Sequence, residues 1–92
     1  MELITQHATI RMQQRGIREK TLDCLLKFGS KMHSDRGCFI MFFDKQARKR
    51  LQKIADSNLY KYLQSQLDAY AIVTAQGEVL TVGHRFKRIN RN

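Results

Sequence analysis

Six consecutive apolar residues, Cys38-Phe39-Ile40-Met41-Phe42-Phe43, constrain this chain more than any other feature. A β-strand turns successive side chains to opposite faces, so a run without a polar member needs cover on both sides. The run therefore reads as a central strand of a sheet. It is also the longest apolar stretch, and it falls far short of the roughly 20 residues that a membrane span takes. Asp35-Arg36-Gly37 before it reads as a turn, and Lys31 to Ser34 supplies a short polar partner strand, giving a hairpin. The whole chain has 92 residues, which is room for one domain, residues 1–92, and one thin core. An apolar content of 42% is enough for that core and argues against disorder.

The flanking segments carry helical signals. Thr5 is a candidate N-cap for a helix running to about Arg15, with Ile4, Ala8 and Met12 recurring every fourth residue as an apolar stripe. Gly16 ends it, and a second helix follows from about Arg18 to Phe28, with Leu22, Leu25 and Leu26 inward and Gly29 at its end. Asp44 caps a third, in which Ala47, Leu51, Ile54 and Ala55 face inward while Lys45, Arg48, Lys49 and Lys53 face out. Asp56-Ser57-Asn58 interrupts that helix, and Leu59 to Leu67 adds a further helical turn or two. The chain closes with a second hairpin: Tyr70 to Thr74, a turn at Ala75-Gln76-Gly77, then Glu78 to Gly83, in which Val79 and Thr81 alternate with Leu80 and Val82. The expected fold is α+β, with two N-terminal helices packed on a small antiparallel sheet of three or four strands and an extra helical segment in the middle.

Charge narrows the partner. Seventeen Lys and Arg against eight Asp and Glu leave a net charge of +9, and such an excess repels itself unless a polyanion meets it. It is bunched between Lys45 and Lys53 and again in the acid-free tail from His84 to Asn92. RNA is the expected partner, with an acidic protein such as an antitoxin as the other candidate. No membrane partner is expected, because no segment joins a basic face to a large apolar one. The N-terminus lacks the basic start and long apolar stretch of a signal peptide. Cys24 and Cys38 read as buried thiols in a reducing, cytoplasmic setting.

No H-x-x-x-H, C-x-x-C or acidic cluster has metal-ligand spacing, and there is no phosphate-binding glycine loop, so no metal or cofactor is expected. What remains is histidine and arginine. His7, Arg11 and Arg15, spaced i, i+4, i+8, form one ridge along the first helix, beside its apolar stripe. Thr81, His84, Arg85 and Lys87 gather at the exit of the last strand. There, period-two alternation puts Thr81 and Arg85 on one face and His84 on the other, unless a bulge near Gly83 intervenes. A solvated helix flank and a merely attractive basic tail are the plain alternatives for these two groups. His33 reads as a bystander. Two imidazoles with nearby guanidiniums match metal-free RNA cleavage: one ring takes the proton of the ribose 2′-OH and the other protonates the leaving oxygen. The arginines stabilise charge on the phosphorus oxygens.

The opening His7-Ala8-x-x-Arg11-Met12-x-x-Arg15-Gly16-Ile17 resembles the start of a family of small bacterial proteins called domain of unknown function 4258. The closing Val73 to Arg85 is similar to that family's C-terminal hairpin. The resemblance implies two N-terminal helices on an antiparallel sheet, like the fold of barnase-like and RelE-like ribonucleases, and an RNA-cleaving toxin activity. It would gather His7, Arg11, Arg15, Thr81, His84 and Arg85 at one catalytic site. Arg18 departs from the Ser or Thr cap usual in that family, and residues 44–66 are longer and more helical than its pattern. Three functions follow as expectations: a metal-independent endoribonuclease, a non-catalytic nucleic-acid-binding module, and a basic protein-interaction domain. For the second, Lys45, Arg48, Lys49, Lys53, Lys87 and Arg88 are the phosphate-contacting candidates, with Tyr60, Tyr62 and Phe86 available for stacking.

Overall fold

The structure is a computed structural model that describes residues 3–85. In chain order the elements are β1 (Leu3–Ile4), α1 (Gln6–Arg15), α2 (Glu19–Phe28), β2 (Ser30–His33), β3 (Phe39–Phe42), α3 (Lys45–Ile54), α4 (Ser57–Leu63), β4 (Ala69–Val73) and β5 (Glu78–His84). The strands form one mixed five-stranded sheet in the order β1-β5-β4-β3-β2. The class is α+β, but the sheet has more strands than the three or four expected. The additional one, β1, pairs parallel to β5 through Leu3↔Glu78 and Ile4↔Val79. Two residues are too few to show a period, and the sequence pattern had assigned Ile4 to the apolar stripe of α1. In the sheet it is 37% exposed.

Local chemistry explains where the helices start and stop. Thr5 caps α1 by accepting from the Ala8 N–H, and Gly16 closes it at φ 68°, a left-handed conformation that a glycine adopts without strain. Asp44 caps α3 through the Ala47 N–H, and Asp56 does the same for α4 through the Leu59 N–H. Helix α2 has Arg18 at its cap position with no side-chain cap. Ile54, expected inward on α3, is 61% exposed, because the helix ends at that residue and Ala47 and Leu51 alone turn into the core.

The core takes helix residues Ala8, Met12, Leu22, Leu25, Ala47, Leu51 and Leu63 together with strand residues Met41, Ala69, Ala71, Val73, Val79 and Val82. Register puts these strand residues on a single face: Ala71 lies opposite Met41 on one side and Val82 on the other. Val79 and Val82 share that face, against simple alternation, because a bulge interrupts the β4–β5 ladder at Ile72/Val73. Each fully buried leucine contributes about 1.5–3 kcal/mol. The other face carries Phe42, which is buried, and Ile40, Tyr70, Ile72 and Thr81, all half-buried, none of which belongs to the core cluster.

Gly29, which ends α2, is a point of close backbone approach. A Cβ there would lie 2.4 Å from the Leu25 carbonyl oxygen and 3.2 Å from that of Phe42. Both obstacles are main chain and cannot swing aside. Gly29→Ala is expected to destabilise the fold by about 1–3 kcal/mol, seen as a drop of about 5–15 °C in melting temperature. An unchanged melting curve would show that the α2–β2 junction relaxes freely.

Candidate nucleic-acid interface

His84 ends β5 and is fastened at both ring nitrogens. Nδ1 lies 2.7 Å from Asp68 Oδ1 and Nε2 lies 2.8 Å from the Arg15 carbonyl oxygen. A carboxylate oxygen and a carbonyl oxygen both accept, so the ring satisfies the two contacts at once only by donating from both nitrogens, as an imidazolium. Burial lowers its pKa, but the hydrogen bonds to Asp68 and to the Arg15 carbonyl, with the Asp68 charge, outweigh that and raise it above the ordinary value. The ring thus ties the last carbonyls of α1 to the β4–β5 hairpin, where a cation also complements the helix C-terminus. Asp68 was not singled out in the sequence. The signal was there in the hairpin register, which pairs Ala69 with His84 and so sets Asp68 beside it.

His7, Arg11 and Arg15 form the expected ridge on α1. The Arg11 Nε donates to His7 Nε2 in a long 3.5 Å contact, and its Nη1 donates to Gln14 Oε1 at 3.3 Å. His7 stands in the first turn of α1 and Arg15 in the last, about 12 Å apart along the axis. His84 is fixed to the Arg15 end. The two imidazoles therefore flank opposite ends of a helix and do not meet on one phosphate-sized group, as paired acid–base catalysis would need.

The remaining candidates lie elsewhere. The bulge falls at Ile72/Val73 and not near Gly83, so alternation from Thr81 onward is undisturbed. Thr81 and Arg85 share the face opposite His84. The Arg85 Nη2 donates to the Phe43 carbonyl oxygen at 2.8 Å, and Arg48 Nε donates to the same oxygen at 3.3 Å. Two guanidiniums thus meet on one atom. Arg85 also stacks its guanidinium over the Phe42 ring, 5.7 Å from the centroid. Its Nε is buried with no hydrogen-bond partner among the described residues. Burial, then the charge of Arg48, push the Arg85 pKa below its usual value, against the opposing charges of Asp68 and Asp44. Among the described residues the ion pairs are Lys27–Asp23 and His84–Asp68, and neither involves an arginine.

Arg48 joins this corner to α3. Lys45, Lys49 and Lys53 form an i, i+4, i+8 ridge on the exposed side of that helix, which contains no acidic residue. Like charges at that spacing cost a few tenths of a kcal/mol each. Arg50, outside the expected set, is used structurally: its Nε and Nη2 donate to the Phe28 carbonyl oxygen at 3.2 and 2.9 Å, closing the end of α2. Lys87, Arg88 and Phe86 lie outside the described residues. Tyr60 and Tyr62 pack against the core, Tyr62 with its hydroxyl 3.5 Å from that of Thr21. His33 is exposed at the end of β2, its ring 4.8 Å from that of Phe39. Cys24 and Cys38 are not joined in a disulfide. Among the described residues there is no cluster of three or more His, Cys, Asp or Glu, and no helix is long and apolar enough to cross a membrane.

No protein-family model, no curated protein and no solved structure matches this chain. The likeness to the family called domain of unknown function 4258 accordingly rests on the two terminal motifs.

The His84 clamp makes stability depend on pH with a definite sign. The folded pKa exceeds the unfolded value of about 6.5, so the contribution is complete below about pH 6.5 and is lost as pH rises through the folded pKa. The melting temperature is expected to fall across that window, and His84→Gln to flatten the fall. A ring titration midpoint below 6.5 by NMR would contradict the clamp.

Proposed function

We propose that this protein is a non-catalytic nucleic-acid-binding module, with RNA as its ligand, engaged by the outward face of α3 and the adjoining Arg48–Arg85 corner. The observation that carries the reading is the meeting of Arg48 and Arg85 on the Phe43 carbonyl oxygen, with neither in an ion pair among the described residues. A phosphodiester would add an anion at this pair, and guanidiniums hold phosphate oxygens with two parallel hydrogen bonds. The acid-free ridge of Lys45, Lys49 and Lys53 extends the same positive surface. The net charge of +9 supports the class of ligand, and the resemblance of the terminal motifs to the family called domain of unknown function 4258, which implies a ribonuclease-like fold, favours RNA over DNA.

A toxin-type ribonuclease built on His7 and His84 calls for two imidazoles that share a substrate phosphate and exchange protons with it. His84 has both ring nitrogens committed, so binding without cleavage is the expected behaviour. Labelled RNA incubated with the protein in EDTA is expected to stay intact while its anisotropy reports binding. Affinity should fall steeply with salt, since each neutralised phosphate releases counterions. The triple variant Lys45→Gln, Lys49→Gln, Lys53→Gln is expected to lower the slope of log K against log salt by about 2 for a single strand. Metal-free cutting lost in both His7→Ala and His84→Ala would restore the ribonuclease reading. Absence of any RNA binding would leave an acidic protein as the partner of this surface.

A further inference from the structure

The sheet face opposite the core cluster adjoins the Arg48–Arg85 corner; on it Phe42 is buried and the neighbouring Tyr70 ring is half-buried. Tyr70 sits in β4 directly between Phe42 of β3 and Gly83 of β5. A Cβ on Gly83 would come within 2.9 Å of the Tyr70 hydroxyl oxygen and 3.1 Å of Cζ, so the ring lies down over the glycine instead of standing off the sheet. Arg85 follows two residues after Gly83, on the same face, with its guanidinium over Phe42. Half-buried Ile72, Ile40 and Thr81 continue the surface, which ends where Arg48 and Arg85 share the Phe43 carbonyl oxygen. A flat aromatic ring beside a phosphate-sized pair of guanidiniums is the arrangement that one nucleotide of an unpaired strand fits: the base stacks on the ring and its phosphate meets the cations.

We infer that the protein selects single-stranded over double-stranded RNA by seating a base on Tyr70 and the adjacent phosphate between Arg48 and Arg85. The inference rests on the nucleic-acid reading of the same corner. A duplex keeps its bases stacked on one another and offers only its backbone, so it can use the lysine ridge of α3 but not the Tyr70 platform. The glycine at position 83 has a place in this account: any side chain there would lift the ring and break the flat surface.

The test compares the full-length chain and its Tyr70→Leu variant, using fluorescein-labelled RNA of about a dozen nucleotides, free and annealed to its complement. The wild type is expected to bind the free strand more tightly than the duplex. Tyr70→Leu, whose melting temperature is checked first, is expected to weaken free-strand binding by about 5- to 100-fold while leaving duplex binding and its salt slope alone. Equal wild-type affinity for the two forms overturns the inference, and this comparison needs no variant to fold. So does a folded Tyr70→Leu protein that binds the free strand as tightly as the wild type. If the lysine triple variant weakens binding in either of those cases, the nucleic-acid reading stands and only the platform falls. Failure of the wild type to bind either RNA removes the reading along with the platform.

Discussion

Packing of the helices against one face of the sheet is the constraint on which the rest of this structure depends. The core cluster takes its strand residues from a single face, Met41, Ala69, Ala71, Val73, Val79 and Val82, and Ala8, Met12, Leu22, Leu25, Ala47, Leu51 and Leu63 of the helices cluster with them. The two alanines of β4 leave room for α2 to settle close to the middle of the sheet. A chain this small has material for only one such layer. On the opposite face Phe42 is buried, while Tyr70, Ile72, Ile40 and Thr81 keep part of their surface exposed.

The electrostatics follow from the same arrangement. The helix-facing end of β5 turns His84 inward, where Asp68 and the Arg15 carbonyl hold it as a cation that closes α1. The next residue, Arg85, turns the other way and meets Arg48. Adjacent residues thus take opposite roles by the alternation of a strand: one locks the fold, and the other is held at a raised electrostatic cost. Desolvation and a neighbouring like charge act against Arg85, a position that gains most when an anion arrives.

Much of the fold was legible in the residues. Two N-caps, Thr5 and Asp44, stand where they were expected, and the two hairpins fall at their glycine-bearing turns, whereas Asp56, read as an interruption, caps α4. Strand β1 was not legible, because two residues carry no period and its partner lies more than seventy positions away. The candidate site divided in the same manner. Ridge spacing alone placed the basic face of α3, since it is a property of one helix. The gathering of His7 with His84 depended on how separate elements meet, and the meeting puts them at opposite ends of α1.

The sequence by itself determined the class of fold, the helix starts, the interior position of β3 and the excess of positive charge, each a matter of composition or local period. The tertiary structure decided which charges are balanced. Asp68 reaches His84 only through the register of a hairpin, and Arg48 reaches Arg85 only because β3 and β5 end at the same corner of the sheet. Hydrogen-bond partners so far apart along the chain are fixed by packing and register, to which no local pattern of residues has access.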